Sequence, residues 1–107
     1  MNKDQFKQLL AELKTGLAKI YGKRLKGLYV FGSYARGEQA QESDLDLLVV
    51  LDDFDHYGAE VGRTSQLASD LSLRYDLSIS NVFARESEWL RGQSPFFRNI
   101  RQEAVAA

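Results

Sequence analysis

The sequence has no cysteine, and a single proline, histidine and methionine among its 107 residues. Without cysteine there is no disulfide framework and no thiolate metal site, which fits a reducing, cytoplasmic setting. The lone histidine, His56, stands near Asp52, Asp53 and Asp55 at a spacing that matches no standard metal site, so these acids are read as an ordinary helix start. Charge of one sign is also missing: 14 Lys and Arg against 15 Asp and Glu leave a formal charge of −1. That balance argues against general nucleic-acid binding or a grip on anionic membrane. The longest aliphatic run is Leu47–Leu51, far below the ~20 residues that cross a bilayer. No apolar stretch follows the first charges, so no signal peptide is read. Repeats, low-complexity tracts and linkers are absent, and the length predicts one domain over residues 1–107. What is present is 44% hydrophobic and 11% aromatic residues, enough for a packed core.

Phe6, Leu9, Leu10, Leu13, Leu17 and Ile20 recur at helical spacing, predicting a first helix closed at Tyr21-Gly22. Leu25–Phe31 is a β-prone run ended by Gly32. Ser33 is expected to cap a brief helix before Gly37. The polar stretch Glu38–Ser43 leads into a second strand, Asp44–Leu51. On a following helix Tyr57, Val61, Thr64, Ala68, Leu71 and Tyr75 step by three and four. A third strand is predicted from Tyr75 to Phe83, with Asp76, Ser78 and Ser80 on one face. Ser87 could cap a turn around Trp89 and Leu90, and Ser94-Pro95 should open a last helix bearing Phe96, Phe97 and Ile100. The three aromatics are expected to finish the core, and Lys19, Lys23, Arg24 and Lys26 to be solvated. The class is α/β of the α+β type, a small mixed sheet of about three strands flanked by helices.

Three features stand out together: Gly32-Ser33 after strand one, Asp44-x-Asp46 at the start of strand two, and Asp76 at the predicted start of strand three. Alternate strand residues share a face, so Asp44 and Asp46 point the same way, roughly 6.5–7 Å apart along the backbone. Carboxylates so placed can converge on Mg²⁺, which favours a few carboxylates, waters and substrate phosphates. Two such ions would clamp the attacking and leaving oxygens of a phosphoryl-type displacement. Gly32 lets a phosphate approach the backbone, Ser33 offers donors, and Arg36 lies one turn further on. If all serve one site, strands one and two run antiparallel and strands two and three parallel. Leu48 and Val50 share the face of the Asp pair, so apolar surface should continue behind it, and any uncovered part would mark a partner surface.

Gly32-Ser33, ten residues, then Asp44-Leu45-Asp46 resembles the signature of the DNA polymerase β nucleotidyltransferase superfamily. The fuller text, Val30-Phe-Gly-Ser-Tyr-Ala-Arg-Gly37 and Ser43-Asp-Leu-Asp-Leu-Leu-Val49, is similar to its minimal, single-domain members. The resemblance implies transfer of a nucleoside monophosphate from ATP, with Asp44, Asp46 and Asp76 as catalytic and metal-binding carboxylates. Gly32, Ser33 and Arg36 would bind the nucleotide, and Mg²⁺, in a two-ion site, would be the cofactor. It also implies a HEPN-domain toxin as partner and acceptor, adenylylated and so neutralised by an antitoxin in a hetero-oligomer. Two alternatives stand beside this reading: a non-catalytic antitoxin that neutralises by occlusion, and a nucleotidyltransferase acting on a small molecule or RNA. With no room for a private acceptor domain, a partner that supplies the acceptor is expected.

Overall fold

A computed structural model describes residues 1–40 and 43–107, so Gln41 and Glu42 of the polar stretch Glu38–Ser43 lie outside the described residues. The first helix, α1 (Lys3–Tyr21), begins with a reciprocal cap: the Gln5 amide donates to Asn2 Oδ1 at 2.8 Å, and the Asn2 amide to Gln5 Oε1 at 2.9 Å. Its stripe of Leu9, Leu13, Leu17 and Tyr21 is buried, and Gly22 ends it with a positive φ of 57°. A single 3-10 turn, Gly22–Arg24, leads into β1 (Leu25–Phe31). The short helix α2 (Ser33–Arg36) comes next, then β2 (Leu45–Leu51), α3 (Tyr57–Tyr75), β3 (Ile79–Arg85), α4 (Glu86–Arg91), α5 (Pro95–Glu103) and β4 (Val105–Ala106).

The sheet order is β3-β2-β1-β4. As expected, β1 pairs antiparallel with β2, and β2 pairs parallel with β3. Strand β2 lies inside the sheet, and its alternation feeds two cores. Leu45, Leu47, Val49 and Leu51 join Leu28 and Val30 beneath α1 and α3. Leu48 and Val50 face the other way, packed with Ala84 and Ile100 and flanked by Tyr29, Trp89 and Phe97. The apolar surface behind the Asp pair is therefore covered by this chain's own α4 and α5, and Leu48 is fully buried. Trp89 and Phe97 finish that core as expected, whereas Phe96 remains 44% exposed.

Several elements depart from expectation. Gly32, not Ser33, caps α2, because its φ of +74° turns the chain out of the strand one residue earlier. Strand β3 starts at Ile79, not Tyr75: α3 ends on Asp76 in the left-handed conformation, with the Asp76 and Leu77 amides both returning to the Ser72 carbonyl. Helix α4 already begins at Glu86, so Ser87 lies inside it, and Glu88 caps it by accepting the Arg85 amide at 3.0 Å. The fourth strand, β4, pairs antiparallel with β1 through Tyr29↔Ala106 and Val30↔Val105.

Because Leu48 is sealed between the sheet and α5, truncation there should leave an unfilled cavity. Leu48→Ala should cost about 2–5 kcal/mol in urea unfolding. A cost below ~1 kcal/mol would show that this face is not a packed core.

Candidate active site

The antiparallel pairing of β1 and β2 brings the end of one strand beside the start of the other, with Phe31 opposite Asp46. Since Leu45 and Leu47 fill the core under α1 and α3, Asp44 and Asp46 project to the opposite face, over which α5 lies. Asp44 is exposed and Asp46 half-buried. Gly32 is required here for two reasons. Its φ is positive, and a Cβ on it would collide with Asp46 Oδ2.

Helix α2 is a single turn hung on one carbonyl, since the Ala35 and Arg36 amides both donate to Gly32 O, at 3.1 and 3.2 Å. Gly37, left-handed at φ +71°, ends it, and Ser33 is its first helical residue. This tight return carries the Arg36 guanidinium to the same carboxylate that meets Gly32. Glu103 Oε1 accepts the Gly32 amide at 3.1 Å, and Glu103 Oε2 accepts Arg36 Nη1 at 3.0 Å. Arg36 Nε donates to Glu38 Oε2 at 2.9 Å.

Glu103 is the functional candidate that sequence reasoning missed. Its place comes from β4: continuing the Val30↔Val105 register two residues outward sets Glu103 opposite Gly32. Within the chain it is one more acid on an amphipathic helix, and no motif marks it.

The electrostatics record the crowding. Asp46 is pushed up from its ordinary pKa, first by burial and then by the neighbouring Asp44 charge, with Glu103 adding to the rise and Arg36 opposing it. Glu103 is held down, first by the Gly32 amide and then by Arg36. Asp44, Asp46, Glu103, Arg36, Gly32 and Ser33 thus form one constellation.

Asp76, the third expected carboxylate, stands just outside β3 and not on it. It lies exposed at the end of α3, four residues before Ser80, the residue level with Asp46 on β3. It is not among the charges acting on Asp46. The expected placement at a strand start fails because Asp tolerates the left-handed conformation that ends a helix. Ser80 stands level with Asp46 on β3, on the same face of the sheet.

At the opposite end of β2 an open pocket of about 360 Å³ is lined by Arg24, Asp52, Asp53, His56, Glu60 and Arg63, among others. Its charges are largely paired within the fold. Arg24 meets Asp52 at 3.2 Å, Asp53 meets Arg85 at 2.9 Å, and buried Glu60 accepts the Tyr21 hydroxyl at 2.9 Å. Among the described residues no group of three or more acids, histidines or cysteines forms a metal-holding cluster. Among them, too, no helix is long and apolar enough to cross a membrane.

A family model described as "Nucleotidyltransferase domain" matches residues 10–104. The Methanocaldococcus jannaschii protein named "Putative protein adenylyltransferase MJ0604" is 36% identical over 98 residues, which are 88% of this chain and 89% of that protein. A second protein of that organism, "Putative protein adenylyltransferase MJ0141", is 31% identical over 80 residues, 75% of this chain and 80% of that one. Among solved structures, a "toxin-antitoxin with AMP-PNP" superposes with a TM-score of 0.59 at 22% identity, over 99% of this chain and 72% of that one. A mutant of the "toxin-antitoxin MntA-HpeT" gives 0.57 at 23% identity, over 100% and 72%. At these identities the structural likeness is one of fold.

Two substitutions test the geometry. Gly32→Ala should fold with a lowered melting temperature, by about 5–10 °C, because both the φ and the Asp46 carboxylate must shift. An unchanged melting temperature would mean that Gly32 is not constrained. Asp46→Asn should raise the melting temperature at pH 7, by about 2–4 °C. A raised carboxylate pKa means that folding is opposed by the ionised form, a cost present above the folded-state pKa and absent below the unfolded one. The gain should therefore vanish as pH falls into the acid range where wild-type Asp46 is itself protonated. A loss of stability at pH 7 would contradict this assignment.

Proposed function

The chain belongs to the nucleotidyltransferase domain family, and from that premise we propose that it is an ATP- and Mg²⁺-dependent protein adenylyltransferase. We further propose that its acceptor is a cognate HEPN-domain toxin, neutralised by the modification. The observation that carries this reading is the convergence of Asp44 and Asp46 on the Gly32-Ser33 turn through the antiparallel β1–β2 pair. The relatives named as protein adenylyltransferases support the protein acceptor, and the toxin-antitoxin structures of the same fold support the toxin.

The residues suit the cofactor. An all-oxygen pair of carboxylates, one of them pushed up by burial and by the charge of the other, is relieved by a hard divalent cation and offers it the few ligands it prefers. When bound, Mg²⁺ neutralises phosphate charge and aligns the reacting oxygens. Asp44 and Asp46 would hold it. Gly32, which leaves the backbone open, would let the β- and γ-phosphates approach, with Ser33 and Arg36 as donors. The acceptor hydroxyl oxygen bonds to the α-phosphorus of ATP, the bond to the bridging β-oxygen breaks, pyrophosphate leaves, and the hydroxyl proton passes to water. Asp76 would be the third carboxylate, reaching in from the end of α3, since Ser80 and not a carboxylate stands level with Asp46 on β3.

That same serine favours a second reading, in which the chain neutralises its partner by binding alone. One experiment separates the two. The purified chain is incubated with its co-encoded partner, Mg²⁺ and ATP labelled at the α-phosphorus. Label should appear on the partner, and Asp44→Asn or Asp46→Asn should cut the transfer by about a hundredfold or more. No label, together with full neutralisation by an Asp44→Ala/Asp46→Ala variant that still binds, would refute the enzymatic reading in favour of occlusion.

A further inference from the structure

Glu103 engages the very groups assigned to phosphate. Its two oxygens take the Gly32 amide and the Arg36 guanidinium, at 3.1 and 3.0 Å. A carboxylate and a phosphate make the same demand on such donors: two oxygens, negative charge, short charge-assisted hydrogen bonds. The single Gly32 N–H cannot serve both, and the Arg36 Nη1 donor held by Glu103 is withheld from a phosphate. Glu38 further occupies Arg36 from the side, at 2.9 Å.

The position of Glu103 is enforced by the fold. Helix α5 is anchored by Ile100, 3% exposed, against Leu48, Val50 and Ala84. Beyond Glu103 the chain joins β1 as β4, and the Ala107 amide closes on the Leu28 carbonyl at 2.9 Å. Glu103 lies between these two anchors, which hold its backbone, and its side chain is 27% exposed. Its charge also acts on Asp46, so an anion entering beside Asp44 and Asp46 meets a third carboxylate.

We propose that Glu103 is a built-in occupant of the nucleotide phosphate position, which a triphosphate must displace from Gly32 and Arg36 in order to bind. The proposal rests on the reading that phosphate approaches the Gly32 backbone and takes Arg36 as a donor. It makes Glu103 a residue that sets nucleotide affinity, where a purely structural role would make it only a tie between α5 and α2. Replacement by glutamine keeps the size and an acceptor oxygen but removes the charge that competes.

The test is calorimetric titration of the full chain with AMP-PNP and Mg²⁺, comparing wild type with Glu103→Gln and following melting temperature in parallel. Glu103→Gln should bind about tenfold more tightly. Equal affinity would leave the nucleotide site standing and overturn the displacement. Weaker binding at an unchanged melting temperature would also overturn it, making Glu103 a ligand on the nucleotide side. No binding by either protein would overturn both the site and the displacement. Should Glu103→Gln fail to fold, the Glu103 carboxyl-carbon NMR signal of the wild-type chain decides. It should shift as the analogue saturates the protein, and a signal that stays in place while the analogue binds refutes the proposal.

Discussion

Asp46 can stand at the start of a buried strand only because Gly32, just beyond its pairing partner, has no side chain. That missing Cβ ties the site to the path of the chain. It lets the β1 chain turn out of the sheet with positive φ, lets α2 fold back in a single turn, and leaves a backbone amide facing the carboxylate side of the sheet. A larger residue at position 32 would have to displace either the turn or Asp46. The geometry of the site and the course of the backbone are therefore one constraint.

The rest of the fold serves to hold that edge still. Strand β2 is buried on both faces, with Leu45, Leu47, Val49 and Leu51 on one side and Leu48 and Val50 on the other. Burying such side chains contributes roughly 1.5–3 kcal/mol each, which offsets the unfavourable placement of two like charges at the strand's start. A site that costs the fold something while it stands without a cation is what charge relief by a bound metal would require. The C-terminal segment completes the arrangement. By pairing with β1 on the side away from β2, it brings an acid from α5 to the Gly32 turn.

Much of this was legible in the residues. Strand β1 spans the predicted Leu25–Phe31, and α3 spans the predicted Tyr57 to Tyr75, because glycine punctuation and 3.6-residue spacing are local signals. The antiparallel and parallel pairings came from requiring one site, and the sheet has both. The start of β3 was not legible: Asp76-Leu-Ser-Ile-Ser80 alternates without a break, and only the backbone shows that its aspartate is a left-handed helix end. Two residues as plain as Val105-Ala106 carry no strand signal, so β4 was missed, and Glu103 with it. The contact between Gly32 and Glu103 spans 71 positions and exists only through tertiary register. Periodicity reports what a segment does with its neighbours; it is silent on which distant acid a turn will meet.

The proposed placement of metal and nucleotide at the Asp44–Asp46 edge is tested most directly by paramagnetic broadening. Mn²⁺ is added to the isotope-labelled chain in the presence of AMP-PNP, and backbone amide signals are followed. Broadening should centre on Gly32, Ser33, Asp44 to Leu47 and Ser80, and should disappear in an Asp44→Asn/Asp46→Asn variant. Broadening centred instead on Asp52 to His56 at the far end of β2, or unaffected by the double substitution, would contradict it.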